Sequence, residues 1–371
     1  MTIRPKILLC CGEASGDLHA SVLVREILRR IPHAEIVCMG GDRTAQAGAE
    51  VRFHIDRYAV MGFSDVLANL GRFIRLERRL KRILRDGVDL FVPVDYPGLN
   101  LRLAAYARKR GIPVLYFISP QIWAWGRNRI HKIGRSVERM VVILPFEEEI
   151  YRREGIPVDY VGHPFVEDHE LPPPLPAEER EGIGLLPGSR PQEVRRILPL
   201  LLAAAQYITE RRRGSRFVIG RNPSVPLEIY RRALIRFKLN IRIDDDAVDV
   251  MRRSRLLLAA SGTATLQGAL LGTPLVIVYH VSAFNYLLAK RLVTIQNIGL
   301  VNIILGRTVC PEFIQNEAKP ERIGGAALEI IEDAAVSKRM LDQFLMLQKM
   351  LSGGGGCRRV AEIVQELMER R

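Results

Sequence analysis

Two apolar runs, residues 7–11 and 256–260, break abruptly into small polar residues: Gly12-Glu13-Ala14-Ser15-Gly16-Asp17 after the first and Ser261-Gly262-Thr263-Ala264-Thr265 after the second. An apolar run without alternation fits a parallel strand covered on both faces, so each break reads as strand, tight turn and helix start. Similar runs recur at 36–39, 90–94, 114–118, 141–144 and 160–161, separated by helical spacing and by turn markers such as Gly40-Gly41, Pro97-Gly98 and Gly111-Ile112-Pro113. Leu171-Pro172-Pro173-Pro174-Leu175-Pro176 can be neither helix nor central strand and reads as part of a linker over 171–182. Beyond it, strands at 183–186, 217–219, 241–243, 256–260 and 275–279 alternate with helices at 193–213 and 227–238. The pattern predicts an α/β protein of two Rossmann-like domains with parallel sheets, 1–170 and 183–351, facing a central cleft. After a glycine-rich break at 352–356, a last helix is expected to return to the first domain.

Composition narrows the class. At 371 residues and 48% hydrophobic, the chain exceeds what one core usually supports. Lys plus Arg number 55 against 41 Asp plus Glu, a net charge of +14, which favours polyanions, anionic lipid or phosphorylated substrates as partners. Aromatic residues make up 6%, with no Arg/Gly/aromatic platform and no zinc-finger spacing, so nucleic acid is not an expected partner. Five cysteines without a CxxC pair indicate neither a disulfide framework nor structural zinc, and point to the cytoplasm. The N-terminal apolar run is too short for a signal sequence, and the stretch 269–279 is interrupted by Gly272 and Pro274, so no membrane span is expected.

The glycine turns define the chemistry. Neither GxGxxG nor GxxxxGK[ST] occurs, which argues against hydride transfer and P-loop chemistry. A helix that starts after a glycine turn still presents free N–H groups and the positive end of its dipole to an anion. Glu13 and Asp17 suit either sugar hydroxyls or a helix cap.

Six blocks in order resemble the lipid-A-disaccharide synthases: Gly12 to His19, Pro93 to Arg102, Ser119 to Trp125, Gly162-His163-Pro164, Leu186 to Arg190, and Ala260 to Leu266. The resemblance implies a two-domain GT-B inverting glycosyltransferase that joins UDP-2,3-diacylglucosamine to 2,3-diacylglucosamine 1-phosphate through a β-1,6 bond, releasing UDP, without a cofactor. A UDP-N-acetylglucosamine 2-epimerase-like enzyme and a non-catalytic lipid- or nucleotide-binding relative are the alternatives.

Such a transfer needs a base and neutralisation of the departing diphosphate. Asp95, at the carboxyl end of its strand, is the expected base, with a helix or turn cap as the bland reading. Arg190 and the helix start at Ser261, Gly262 and Thr263 are the expected leaving-group clamp, with Ser189, Gln267 and Asn302 as further UDP contacts; Arg190 paired with Glu193, and capping by Ser261 and Thr263, are the plain alternatives. The acceptor sugar is assigned to Gly12, Glu13, Ser15, Gly16, Asp17, Gln121, Trp123 and His163. Asp244-Asp245-Asp246 has a metal-like spacing but opens a helix, so no metal is expected.

Residues 63–85 follow helical spacing. Phe63, Val66, Leu67, Leu70, Phe73, Ile74, Leu80 and Leu84 form the apolar side, and Arg72, Arg75 and Arg79 belong to a dense basic side. Given acylated substrates, the helix is expected to lie on an anionic membrane surface, placing the protein at the cytoplasmic face of the inner membrane, although an ordinary sheet-packing helix has the same pattern. A homodimer is among the assemblies left open. The chain departs from the family at Gln267 and Thr308, where Glu is usual, and at Val301, where Pro is usual.

Overall fold

The computed structural model describes residues 4–58, 70–124, 129–168, 171–281 and 296–370. The chain divides into two compact units, residues 1–170 with 351–371, and residues 171–350.

Unit 1 holds strands β1 (Lys6–Cys10), β2 (Glu35–Gly40), β3 (Glu50–His54), β4 (Leu90–Pro93), β5 (Leu115–Phe117), β6 (Arg139–Val142) and β7 (Val158–Tyr160). Their order is β3-β2-β1-β4 and β5-β6-β7, all parallel, and bridges Phe91 to Val114 and Val94 to Phe117 join the two groups. Helices α1 (Ala14–Arg30), α2 (Asp42–Gln46), α3 (Leu70–Arg85), α4 (Pro97–Arg108), α5 (Ile130–Gly134), α6 (Pro145–Arg153) and α7 (Pro164–Glu167) connect them. In α1, Ala20, Leu23, Val24 and Ile27 form the i, i+3, i+4, i+7 stripe that buries completely. β3 was not expected: its sequence EVRFH alternates polar and apolar residues, as suits an edge strand, and lacks the apolar run of the central strands.

Unit 2 repeats the plan. It contains β8 (Ile183–Leu186), α8 (Pro191–Arg211), β9 (Phe217–Gly220), α9 (Leu227–Leu234), β10 (Ile241–Asp244), α10 (Ala247–Arg253), β11 (Leu256–Ala260), α11 (Thr263–Leu270), β12 (Leu275–Tyr279), α12 (Leu300–Leu305), β13 (Glu312–Ile314), α13 (Pro320–Glu332) and α14 (Ala334–Met350). The sheet order is β10-β9-β8-β11-β12-β13, parallel throughout. The strand order therefore reverses beside β1 in unit 1 and beside β8 in unit 2, the places where open α/β sheets leave a crevice for ligands. The Pro-rich segment is fastened to unit 2 by Arg180, whose buried guanidinium donates to the carbonyls of Leu175, Leu271 and Gly272 and to Thr273. These carbonyls include the end of α11, where a cation is favoured.

Helix α15 (Gly356–Glu369) packs on α1 in unit 1, where Glu362 pairs with Arg30. The preceding glycines meet a carboxylate clamp: Glu167 accepts from the N–H groups of Gly353 and Gly355, and Asp168 from Cys357.

Candidate active site

In unit 1, β1 and β4 are neighbours in register Cys10 to Pro93, so Gly12-Glu13 and Asp95-Tyr96 leave the sheet side by side. Asp95 and Tyr96 both adopt left-handed backbone, with φ of 47° and 50°, and Ile118 after β5 does so with φ of 65°. Left-handed conformations cost side-chain-bearing residues free energy, and a β-branched residue most of all; such strain persists only where neighbours enforce it. Here the Asp95 carbonyl accepts from the Tyr116 hydroxyl at 2.7 Å and from Asn100 Nδ2 at 2.8 Å. Asn100 Nδ2 also lies 3.0 Å from the carbonyl oxygen of Cys10, tying β1 to the turn after β4. Gly12 is required: a Cβ there would lie 2.2 Å from the Tyr96 ring.

The Asp95 carboxyl is lifted to about 6, first by burial and then by the charge of Glu13, against the pull of the Tyr96 N–H and of His19. Glu147 is buried deeper, and burial pushes it up to about 8 although the Trp123 indole donates to it at 3.0 Å and the Leu144 N–H at 3.3 Å. His163 is buried beside His19, the rings 6.2 Å apart, and burial holds it down at about 3. It is thus the neutral acceptor of the Phe165 N–H, capping α7.

The sequence-assigned acceptor residues divide. Glu13, Ser15 and Gln121 are exposed, while Gly12 and Gly16 are buried in the turn and first turn of α1. Asp17 corrects the sugar-binding expectation: its carboxylate accepts from the N–H groups of Gly41, Arg43 and Thr44 and from the Thr44 hydroxyl. Buried carboxylate oxygens engaged in this way fix the start of α2 and are not presented to a sugar. His163 likewise serves as a cap, and Trp123 is buried against Phe146 and Glu147. Trp125, Phe63, Val66, Leu67 and the Leu70 side chain lie outside the described residues. Along α3 the core face is Leu76, Leu80 and Leu84, while Phe73 is half-buried and Ile74, Arg72, Arg75 and Arg79 are exposed. Of the expected apolar side, Leu80 and Leu84 are buried in the core together with Leu76, an i, i+4, i+8 stripe, whereas Phe73 is half-buried and Ile74 faces solvent.

In unit 2, β8 and β11 are neighbours, so Pro187-Gly188-Ser189-Arg190 and Ser261-Gly262-Thr263 emerge side by side. Glu193 reaches back to accept from the Ser189 N–H at 2.9 Å, and a Cβ on Gly188, whose φ is +114°, would meet that carboxylate. Arg190 is the exposed N-cap residue of α8, so Glu193 organises its turn through the backbone. At α11, Ser261 Oγ donates to the Ile298 carbonyl at 3.0 Å, and Gly262 and Thr263 are exposed. The exposed start of α11 and the exposed Arg190 thus follow neighbouring strands, and a helix N-terminus with a nearby guanidinium suits a diphosphate. Gln267 is half-buried one turn further on. Asn302 is a second correction: fully buried, it donates to the Cys310 carbonyl and Glu312 and accepts from the Val309 and Cys310 N–H groups, leaving nothing for a nucleotide. The acidic triplet is engaged as well, Asp246 capping α10, Asp245 pairing with Arg221 and Asp244 with Arg242.

A profile of the lipid-A-disaccharide synthetase family matches residues 7–361. The chain belongs to that family. The lipid-A-disaccharide synthase of Trichlorobacter lovleyi is 39% identical over 99% of this chain and 98% of its own, and that of Geobacter sulfurreducens 37% identical over 98% and 97%. The synthase fold is GT-B. A UDP-N-acetylglucosamine 2-epimerase from Neisseria meningitidis superposes with TM-score 0.64 at 13% identity, covering 98% of this chain and all of its own, and a calicheamicin glycosyltransferase with 0.60 at 18%, covering 100% and 99%. This synthase is a glycosyltransferase of lipid A assembly. Among its described residues no helix is long and apolar enough to cross a membrane.

The sequence left Asn100, Tyr116 and Glu147 without a role, and offered Glu193 only as a partner of Arg190, not as the acceptor of the Ser189 N–H. Glu193 and Glu147 carried a legible signal, each standing two residues after the proline that opens its helix, at the third helical position. Tyr116 lies inside an apolar run and carried none.

Proposed function

We propose that the chain joins UDP-2,3-diacylglucosamine to 2,3-diacylglucosamine 1-phosphate with inversion at the anomeric carbon, forming a β-1,6 bond and releasing UDP. The family supports the reaction, and the observation that carries its chemistry is Asp95: a carboxylate at the switch point of unit 1, on a strained turn, lifted to about 6. A base works best with its pKa near the operating pH, where it is ionised yet still basic. Asp95 takes the proton of the acceptor 6-hydroxyl as that oxygen bonds to the anomeric carbon and the bond to the donor diphosphate breaks, its electron pair leaving with UDP. Arg190, Ser189 and the α11 start at Ser261, Gly262 and Thr263 neutralise the diphosphate, and Gln267 contacts the nucleotide. Glu13, Ser15, Gln121 and the turn at Gly12 and Gly16 take the acceptor sugar. The exposed arginines of α3, with Phe73 and Ile74, rest on anionic lipid at the cytoplasmic face of the inner membrane, the acyl chains remaining in the lipid.

The test follows UDP release in the presence of a chelator, with and without the acylated monosaccharide phosphate. Release that requires the acceptor, and is lost in Asp95→Asn, is expected. Epimerisation of UDP-N-acetylglucosamine without acceptor, or binding without turnover, overturns the reading.

A further inference from the structure

A groove of about 480 Å³ lies on unit 2 between α8 and α9, and none of its lining residues belongs to the turns after β8 and β11. Pro199, Pro226, Ile229, Ala233 and Phe237 form an apolar floor, and Arg195, Arg232 and Arg236 stand around it. Arg232 is paired with Glu228 at 2.8 Å, whereas Arg195 and Arg236 have no carboxylate partner among the described residues. Elsewhere in unit 2, Arg216, Arg221, Arg242 and Arg253 pair with acids, and Arg252 and Arg255 donate to backbone carbonyls. Ile235, the chain neighbour of the groove-lining Arg236, is 83% exposed, the most exposed of the large hydrophobic residues on the described surface, and Arg231 and Lys238 of the same segment are exposed.

These features call for an occupant that is both anionic and apolar. A polyanion such as a nucleic acid satisfies the guanidinium groups but gives Ile235 and the groove floor nothing to bury against. An anionic lipid surface answers both, its phosphates meeting Arg195 and Arg236 while its acyl region receives Ile235 and fills the groove. We propose that this groove is an anionic-lipid contact of unit 2, with Ile235 as its wedge and Arg195 and Arg236 as its headgroup ligands. The contact is independent of the assignment of Asp95 and separate from α3.

The test is sedimentation of the full chain with phosphatidylcholine vesicles, with and without phosphatidylglycerol. Wild type should partition onto the anionic vesicles, and Arg195→Gln and Arg236→Gln should each weaken partition about fivefold at low salt. Ile235→Ser should weaken it at every salt concentration, since its contribution is not screened. Acceptor-dependent UDP release from detergent-dispersed substrates should be unchanged in all three, which separates this contact from the catalytic proposal. The same losses should appear in a background of Arg72→Gln, Arg75→Gln and Arg79→Gln, which tests independence from α3. Unaltered partition in the Arg195→Gln/Arg236→Gln double variant overturns the proposal. So does equal binding to both vesicle types, or displacement from anionic vesicles by inorganic phosphate at constant ionic strength, which marks a simple anion site.

Discussion

The Tyr116 hydroxyl donates a 2.7 Å hydrogen bond to the backbone carbonyl of Asp95, and through it a residue with no access to substrate holds the turn that aims the carboxylate. Tyr116→Phe removes that bond without a cavity. A lost hydrogen bond is worth about 1 kcal/mol, so kcat should fall about fivefold while KM for the UDP-sugar stays within twofold. Steady-state kinetics checks this, and an equal fall in apparent affinity would place the effect in binding.

Asp95 titrates at about 6 in the folded chain, above its ordinary 3.8. If it is the base, kcat must fall as pH drops through about 6, because the proton-accepting form disappears. The same shift has the opposite sign for stability: the folded state binds the proton more tightly, so stability declines as pH rises from 3.8 to about 6. Asp95→Asn should therefore abolish turnover and raise the melting temperature by a few degrees at pH 8, as strained catalytic groups do when neutralised. Calorimetry beside the UDP assay gives both readouts.

Glu147 carries the larger shift, from 4.5 to about 8. Stability contributed by its neutral form is complete at low pH and lost as pH rises through about 8. Glu147→Gln keeps an acceptor for the Trp123 indole and has no charge to desolvate. Its melting temperature should match wild type at pH 4, below the ordinary 4.5, and exceed it by a margin that grows until about pH 8.

Asn302 is a structural residue in unit 2, with both amide hydrogens and its oxygen engaged. Asn302→Ala should destabilise unit 2 by roughly 2–4 kcal/mol by orphaning several buried partners, while UDP affinity of the folded protein is retained. Denaturant titration and UDP calorimetry separate the two effects.

The resemblance to the family implies Glu at the position of Gln267, which is half-buried in α11. A carboxylate accepts from ribose hydroxyls more strongly than an amide, by about 1 kcal/mol, so Gln267→Glu should tighten UDP product inhibition about fivefold. An unchanged inhibition constant would remove Gln267 from the nucleotide site.

The central strands were legible because each is an unbroken apolar run. Strands β8, β11 and β12 begin and end at the residues the pattern predicts. Edge strands β3 and β13 were not legible: a half-exposed edge needs no apolar run, and three or five residues are too few to set a period. The candidate site was legible as turns, since Gly12, Asp95, Arg190 and Gly262 all follow strand ends. The function of individual polar side chains was not. Asp17 and Asn302 have the residue types of ligand contacts, yet hydrogen bonds to backbone brought close by folding engage their oxygens and amides.

The amino-acid order by itself determined where strands stop and small residues begin, and with that the two βαβ series, the helix starts and the carboxylate at the end of β4. These are local properties, set by burial of apolar runs and by the conformations glycine and proline permit. Only the tertiary structure decided that Asn100 and Tyr116 meet at the Asp95 carbonyl, that Leu76, Leu80 and Leu84 rather than Phe73 and Ile74 face the sheet, and that Asp17, His163 and Asn302 serve the fold. Each depends on which distant donor or apolar surface the topology brings within reach, and that distance is not written in the spacing of residues along the chain.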